Sequence, residues 1–401
     1  MNKLLSSTKE LSDKYIMNTY KRLPLVIEKG EGVYLFDENG NKFLDFVAGI
    51  AVNCLGYGNK KFIDAVSSQL ELFNHCSNIY YNKPQTAVAE MLVENSCFDK
   101  VFFCNSGAES IEAALKLCRK FGNSKKEGCN EIITMKNSFH GRTLGAITAT
   151  GQEKYQKGLT PLLPNIFYGE YNNLESIKEL INENTCAILM EVIQGEGGVI
   201  PADKEFLEQI RTLCNEHDIL LVFDEVQTGI GRTGKLFAYE NYNVEPDIIC
   251  LAKGLANGIP VGAMMAKEKA AKYFSPGDHA STFGGNPIAM SGAKVVLDEI
   301  INQKLLQNVR QVGDYLKAEL KVLKIKYPDI IQDVRGLGLM LGVECSISPS
   351  EIISECQKNG LLLIGAGHNV IRFVPPLVIS KADVDEAVSV FEKVLMKINK
   401  L

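Results

Sequence analysis

Between Lys100 and Lys267 the chain alternates short runs of apolar residues with stretches in which apolar residues recur every three or four positions. Runs this continuously apolar are typical of strands buried on both faces. The stretches between them, such as ESIEAALKLCRKF and DKEFLEQIRTLCNEH, predict amphipathic helices. This alternation predicts an α/β fold with a mostly parallel central sheet. The predicted strands are KVFFC (100–104), EIITM (131–135), CAILMEV (186–192), ILLVFDEV (219–226), DIICLA (247–252) and VGAMMA (261–266).

The two ends of the chain follow different patterns. GEGVYLFDENGNKFLDF predicts a β-hairpin with DENGN as its turn. After about Gly292 come a helical stretch to about Tyr327, the strand pattern RGLGLMLGVE and a helix from Lys381. We therefore expect a small α+β domain formed from residues 1–60 and 292–401, and a large domain of residues 61–291 between them. A length of 401 residues is compatible with such a division.

Charge and cysteine content exclude several classes of function. The formal net charge of -5 argues against a nucleic-acid-binding surface, which needs clustered excess lysine and arginine. The eleven cysteines are scattered, and no pair has CxxC spacing, so neither a disulfide framework nor a zinc site is indicated. A signal-peptide pattern and a run of about 18 apolar residues are both missing, which favours a cytoplasmic protein.

Polar residues that follow the predicted strands are candidates for function, because ligands of open α/β sheets bind at the carboxyl ends of the strands. NSGAES starts a helix after the first strand, and Ser106, Gly107 and Ala108 could cradle a phosphate. Ser106 could equally be only an N-cap.

Lys253 ends a buried strand, where loss of water would favour its neutral, nucleophilic form.

The segment VFDEVQTGIGRTGK places Asp224 and Glu225 at the end of a very apolar strand. A carboxylate there is costly unless it is paired, so we expect a cationic partner, either a protonated pyridine nitrogen or a structural Arg or Lys.

GIGRTGK also resembles a nucleotide-binding loop. Leu236 stands where a P-loop has a hydroxyl, and no helix clearly follows the glycines, so the nucleotide interpretation is disfavoured.

Arginines in two motifs could bind carboxylates. Arg142 lies in NSFHGRT, and Arg372 lies in the apolar VIRFVPPL; either could instead form a structural ion pair. His140 is interpreted as structural, since no second ligand or nucleophile stands at a useful spacing.

Taken in order, these segments resemble the class III (ornithine-type) aminotransferases of pyridoxal-phosphate fold type I, with the acetylornithine aminotransferases as the nearest subgroup. The resemblance covers nearly the whole chain. It is carried by DENGNKFLDFVAGIAVNCLGYGN, NIYYN, NSGAES, FHGRT, EVIQGEGG, FDEVQTGIGRTG, LAKGLANGIPVGA, STFGGNP and RFVPPL.

The resemblance implies pyridoxal 5'-phosphate held as a Schiff base on Lys253, with Asp224 against the pyridinium nitrogen. Gln227 would lie near the phenolic oxygen of the ring, with Phe139 and Val226 on its two faces. The phosphate would be held at the start of the NSGAES helix and, across a homodimer, by Thr282 of the neighbouring subunit. The implied cofactor-binding set is Ser106, Gly107, Ala108, Phe139, Asp224, Glu225, Val226, Gln227, Lys253 and Thr282.

For the substrates, the resemblance implies that Arg142, with Ser281 from the partner chain and Tyr20, binds the α-carboxylate of acetylornithine. Arg372 would bind the α-carboxylate of glutamate or 2-oxoglutarate and pair with Glu196 otherwise. The implied reaction is ping-pong transfer of the δ-amino group of N2-acetylornithine to 2-oxoglutarate, in arginine biosynthesis. Ornithine, succinylornithine and 4-aminobutyrate remain alternative amino donors, although Gly49, which replaces a tyrosine of the ornithine enzymes, favours a larger substrate.

Overall fold

A computed structural model of the chain describes residues 3–302 and 305–399. The described strands form a seven-stranded central sheet, two four-stranded sheets and a two-stranded ribbon. The strands are β1 Ile27–Glu31, β2 Tyr34–Asp37, β3 Lys42–Asp45, β4 Lys100–Cys104, β5 Glu131–Met135, β6 Ile166–Gly169, β7 Thr185–Glu191, β8 Ile193–Gln194, β9 Ile200–Pro201, β10 Leu220–Asp224, β11 Ile248–Leu251, β12 Gly262–Ala266, β13 Ile331–Leu337, β14 Met340–Cys345, β15 Leu361–Leu362, β16 Ile364–Ala366 and β17 Val370–Phe373.

The helices alternate with these strands through the middle of the chain and flank the sheets at both ends. They are α1 Lys3–Tyr15, α2 Ala48–Ala51, α3 Lys60–Leu72, α4 Lys83–Glu94, α5 Gly107–Lys125, α6 Leu144–Ala149, α7 Glu153–Gln156, α8 Leu174–Lys178, α9 Lys204–Glu216, α10 Glu268–Ala271, α11 Pro287–Asn302, α12 Leu305–Lys326, α13 Pro349–Lys358 and α14 Lys381–Ile398. Short 3-10 turns cover Ala238–Asn241 and Lys253–Ala256.

The central sheet has the strand order β4-β12-β11-β10-β7-β5-β6. β12 runs antiparallel to both of its neighbours, and the other strands are parallel to one another. The prediction of an α/β fold with a mostly parallel sheet is confirmed, and all six predicted runs contain a strand, with ends that differ by no more than two residues. The apolar pattern did not predict β6, because this strand has only four residues and is only partly buried.

The central sheet separates two hydrophobic cores, and its strands contribute alternate residues to each. In β10, Leu221 and Phe223 belong to one core, and Leu220 and Val222 belong to the other. The same alternation holds in β11. Because successive side chains point to opposite faces, a strand covered on both sides must be apolar at every position. This packing explains the continuous apolar runs of the sequence.

Both ends of the chain contribute to one of the smaller sheets. β1, β2 and β3 form the predicted antiparallel hairpin, with its turn at Asp37–Asn41, and β15 from the C-terminal part adds parallel to β3. A second small sheet has the order β13-β14-β17-β16. This arrangement supports a small unit built from both ends; the boundaries 1–60, 61–291 and 292–401 remain a prediction.

All eleven cysteines are free thiols, and nine of them are buried. None of the helices that the structure describes is long and apolar enough to cross a membrane.

A buried arginine joins the glycine-rich loop after β10 to the C-terminal part of the chain. Arg232 Nη1 donates to the carbonyl oxygens of Leu339 and Pro375, and the backbone of Arg232 accepts a hydrogen bond from Leu339 N at 3.0 Å. Burial lowers the pKa of Arg232 to about 10, which still leaves it charged at neutral pH. The GIGRTG motif therefore serves to connect segments of the fold, and turns rather than a helix follow its glycines.

We expect Arg232→Met to lower the midpoint of thermal unfolding by roughly 5 °C or more, because two buried carbonyl groups would lose their donor. The measurement is calorimetry of the purified protein, with Arg22→Met, a change at an exposed arginine, as the control that should leave the midpoint nearly unchanged. Equal midpoints for the two variants would show that Arg232 does not stabilise this junction.

Candidate active site

A cavity of about 330 Å³ opens at the carboxyl edge of the central sheet. Its volume lies within the range usual for small-molecule sites. Residues that follow β4, β5, β7, β10 and β11 converge there. The cavity is lined by Val52, Asn105, Ser106, Gly107, Ala108, Phe139, His140, Gly141, Glu191, Ile193, Glu196, Asp224, Val226, Gln227, Thr228, Ala252, Lys253, Gly258, Ile259, Pro260 and Val261.

Lys253 supplies the amine of the cavity. It lies two residues after β11, with a backbone φ of 42° that is uncommon for a residue with a side chain. Burial, followed by the positive charge of Arg372, lowers the pKa of Lys253 to about 8. A substantial share of the amine is therefore neutral near physiological pH, as a nucleophile or a proton carrier requires.

Asp224 ends β10 in the same cavity and is held by a buried histidine. Its Oδ2 lies 2.7 Å from His140 Nδ1, and its Oδ1 accepts the N–H of Val226 at 2.9 Å. The hydroxyl of Thr134 donates to Ala149 O at 2.9 Å and lies 3.2 Å from His140 Nε2. Since its one proton is used, that hydroxyl can only accept from His140. The two ring nitrogens of His140 thus link Thr134 to Asp224 Oδ2.

A second buried carboxylate, Glu191, organises the loops around this pair. Its two oxygens accept the backbone N–H groups of Phe139 at 3.1 Å and Gly195 at 3.1 Å. Burial raises the pKa of Glu191 to about 7; the charge of His140 opposes this rise and that of Asp224 adds to it. Glu191 thus fixes the backbone of two cavity-lining segments while it responds to the charges beside it.

The N-terminus of α5 supplies a set of backbone donors to the cavity. Ser106 caps the helix, since its hydroxyl accepts the N–H of Glu109 at 3.2 Å, and Ser106, Gly107 and Ala108 all line the cavity. A Cβ at Gly107 would approach Val226 Cγ1 to 2.7 Å, so only glycine fits there. The two roles left open for Ser106 are compatible, because a capped helix start next to a cavity is itself an anion site.

Arg372 on β17 is buried and paired. Its Nη1 donates to Glu196 Oε1 at 2.6 Å and to Gln227 Oε1 at 2.9 Å. The ion pair between Arg372 and Glu196 agrees with the partnership that the resemblance implied. Burial would raise the pKa of Glu196, but Arg372 and a hydrogen bond from Gln227 together lower it below its usual range.

Phe139 and Val226 both line the cavity, as the resemblance requires for contacts to a ring. Arg142 does not line it. Its guanidinium lies 4.1 Å from the ring centroid of Tyr155 and 5.4 Å from that of Phe139, in an exposed position. Arg142 is therefore near the site but outside the cavity in this structure.

Tyr20, Ser281 and Thr282 also lie outside the cavity lining. Tyr20 is exposed near the N-terminus, next to Arg22. Ser281 and Thr282 lie in an adjacent depression, where Ser281 Oγ accepts from Asn105 Nδ2 at 3.1 Å. Their predicted action across a subunit boundary stays a prediction.

Glu225 requires a correction. It was predicted to bind the cofactor, but alternation along the chain turns it away from Asp224 into the protein interior. Its carboxylate accepts the backbone N–H groups of Ala238 and Tyr239 at the start of a 3-10 turn. Burial raises the pKa of Glu225 to about 8, and the two backbone donors oppose that rise. The role of Glu225 is to fix the chain after the glycine-rich loop.

Sequence reasoning missed His140, Thr134 and Glu191 as members of the site. The available signal was the carboxylate of Asp224, whose need for a cationic partner was recognised without histidine being considered. Glu191 also carried a signal, since it ends a predicted buried strand. The sequence did not show that β5, β7 and β10 are neighbours in the sheet, which brings the residues that follow them to one edge.

The donor set fits pyridoxal phosphate. An anion site at α5, an aromatic and a branched apolar side chain, a buried carboxylate and an amine of lowered pKa all border one cavity. The residues at this edge of the α/β sheet fit an enzyme that binds a phosphorylated aldehyde cofactor.

Comparison with known proteins places this enzyme in a family. The sequence model described as aminotransferase class-III matches residues 15–395. The chain belongs to the class-III aminotransferases and is a transaminase that depends on pyridoxal phosphate. It is 50% identical to the acetylornithine aminotransferase of Caldanaerobacter subterraneus over 96% of this chain and 98% of that one. It is 49% identical to that of Clostridium acetobutylicum, over 96% and 99% of the two chains.

Solved structures agree with the fold. The ornithine aminotransferase from Toxoplasma gondii superimposes with a TM-score of 0.95 at 30% identity, over 99% of this chain and 96% of that one. The acetylornithine aminotransferase from Elizabethkingia anophelis gives a TM-score of 0.87 at 33% identity, over 98% and 99%. The prediction of fold type I is confirmed.

The lowered pKa of Lys253 predicts a distinctive reactivity in cofactor-free protein. We expect reductive methylation of Lys253 to be half-maximal near pH 8, because the neutral amine that reacts accumulates above the pKa. Ordinary exposed lysines should require a pH near 10. Mass spectrometry of peptides labelled at each pH provides the measurement. In Arg372→Met, which lacks the nearby positive charge, the midpoint should move to higher pH; an unchanged midpoint would contradict this electrostatic account.

Proposed function

We propose that this enzyme transfers the δ-amino group of N2-acetylornithine to 2-oxoglutarate, which yields N-acetylglutamate 5-semialdehyde and glutamate and serves arginine biosynthesis. The observation that carries the proposal is the buried Arg372–Glu196 pair beside Lys253. An arginine with a displaceable carboxylate partner can bind the α-carboxylate of a five-carbon oxo acid. When the amine substrate occupies the site, Glu196 forms the ion pair with the Arg372 guanidinium instead.

Relatives that share 45–50% identity and are named acetylornithine aminotransferases support the choice of amino donor. Gly49 supports it as well. Its backbone φ of 66° favours glycine, and a Cβ there would approach Asn53 Nδ2 to 3.1 Å. A small residue in the segment that carries the cavity-lining Val52 leaves room for an acetylated substrate.

The chemistry follows from the placement of the side chains. Pyridoxal phosphate, when bound, supplies the electron sink that stabilises the negative charge left by proton removal. Asp224, fixed by His140, would hold the ring nitrogen; α5 would hold the phosphate, and Phe139 and Val226 would flank the ring. Lys253 Nζ, with a pKa of about 8, can hold the cofactor and afterwards accept and return a proton.

Arg142 would bind the α-carboxylate of acetylornithine at the entrance. Its exposed position next to Tyr155 allows the guanidinium to turn toward a substrate without a loss of buried contacts. Tyr20 and the Ser281 of a second copy remain candidates for the same entrance.

The test of the function begins with absorbance. The purified protein should be yellow, and borohydride should remove the visible band and leave one modified lysine, Lys253, in peptide maps. Lys253→Ala should lose both the band and at least about a thousandfold of the turnover. Rates measured with acetylornithine, ornithine, succinylornithine and 4-aminobutyrate should rank acetylornithine first. A modified lysine elsewhere would reject the cofactor assignment, and a different order of amines would reject only the substrate.

We also propose that the active unit is a homodimer with shared sites. Ile79, Tyr80, Tyr81 and Phe283 are exposed, and the two segments that carry them are joined by Asn78, whose Nδ2 donates to Ser281 O and Gly284 O. Large apolar side chains grouped on a surface indicate a protein contact. The same surface carries Ser281 and Thr282, which a second copy could place at its partner's phosphate site.

Sedimentation should therefore give a mass of about twice the 44.2 kDa chain. Tyr81→Glu, a charge at a fully exposed position of this surface, should weaken the dimer, and loss of cofactor should accompany dissociation. Lys321→Glu, a charge change at an exposed position on α12, is the control. A stable, yellow and active monomer would disprove shared sites.

A further inference from the structure

Two side chains stand between Arg372 and the cavity. Glu196 and Gln227 are cavity-lining residues, whereas Arg372 is 1% exposed and does not belong to the lining formed by the described residues. Both side chains contact the same guanidinium nitrogen, Nη1, at 2.6 Å and 2.9 Å. A carboxylate that enters the cavity can reach this nitrogen only when one of them moves away.

The orientation of the Gln227 amide is fixed by its neighbour. Arginine has donors and no acceptor, so the amide oxygen of Gln227 must face Arg372. Its NH2 group is then directed elsewhere, and a hydrogen bond from Gln227 is among the interactions that keep Glu196 ionised. Arg372 Nη1 therefore joins Glu196 and Gln227 in one cluster.

The two side chains differ in their freedom to move. The side chain of Glu196 is 24% exposed and follows the two-stranded ribbon's first strand, β8. Gln227 is 9% exposed and packs so closely on Gly195 that a Cβ at position 195 would lie 2.6 Å from Gln227 Nε2. Glu196 can swing toward solvent, while the packing around Gln227 keeps it in place.

We propose that Gln227 is a positioning residue that determines dicarboxylate specificity: it stays on Arg372 when Glu196 leaves and keeps the guanidinium directed at the incoming carboxylate. The inference rests on the proposed function, since it deepens the role of Arg372 in binding 2-oxoglutarate. A neutral amide suits this task. It accepts a hydrogen bond from Arg372 without neutralising its charge, whereas a carboxylate would compete permanently with the substrate.

Glutarate is a suitable probe, because it has the two carboxylates of 2-oxoglutarate and no oxo group to react. Its affinity for the holoenzyme can be measured by titration calorimetry. We expect Gln227→Glu to weaken glutarate binding at least tenfold and Gln227→Met, which has a similar size and neither donor nor acceptor, to weaken it about threefold or more. Glu196→Gln, which removes the displaceable competitor, should tighten binding. The double variant Glu196→Gln/Gln227→Glu should remain weak, since its carboxylate cannot swing away.

Kinetics separate this role from a contact of Gln227 with the cofactor alone. We expect the ratio of the KM for 2-oxoglutarate to the KM for the amine to rise at least tenfold in Gln227→Glu. Glutarate affinity equal to wild type in both Gln227 variants, with both half-reactions slowed alike, would overturn the inference. So would a double variant that binds glutarate as tightly as Glu196→Gln.

Arg372→Met distinguishes the inference from the function on which it rests. If glutarate binds Arg372→Met as it binds the wild type, the carboxylate site of the proposed function is wrong. If Arg372→Met abolishes binding and the Gln227 variants retain it, only the role of Gln227 is wrong.

Discussion

Burial of charge at the carboxyl edge of the central sheet is the constraint on which this site depends. Asp224, Glu191 and Arg372 are buried in or beside one cavity, and Lys253 lines it. A charge in such surroundings is costly unless hydrogen bonds or an opposite charge stabilise it. His140 stabilises Asp224, and backbone N–H groups stabilise Glu191. Glu196 stabilises the guanidinium of Arg372. Burial still shifts Glu191 and Lys253 toward their neutral forms. For Lys253 the lowered pKa makes the amine reactive.

The sheet makes this concentration of charge possible because both of its faces are covered. Alternate residues of β10 and β11 pack into two separate cores. Polar side chains are therefore placed only where these strands end. Asp224 is the last residue of β10, and Lys253 follows β11 by two positions. Parallel neighbours deliver both residues to the same edge. Helix α5 starts at that edge as well, and its free N–H groups add an anion site to an otherwise apolar wall.

Local patterns predicted those elements well, and contacts between distant segments limited the prediction. Apolar runs located six strands of the central sheet, and the residues after them included Lys253, Asp224 and the start of α5. Nothing in a one-dimensional pattern showed that β12 runs antiparallel or that β5 lies two strands away from β10. His140 follows β5, so its contact with Asp224 could not be inferred. Glu225 was misjudged because adjacent residues were assigned to one side of the chain.

The Arg372 cluster shows why the selectivity of such a site is harder to infer than its chemistry. The positions of Lys253 and Asp224 follow from where strands end, whereas the cluster of Arg372, Glu196 and Gln227 joins β17, a loop after β8 and a loop after β10. In the proposed function, Arg372 serves two substrates and needs one partner that can leave and one that stays. Gln227 and Glu196 differ in their freedom to move because of packing. The absence of a side chain at Gly195 leaves space that the Gln227 amide fills, whereas Glu196 is partly exposed. In this proposal, substrate choice at Arg372 therefore depends on which of its two neighbours is free to move.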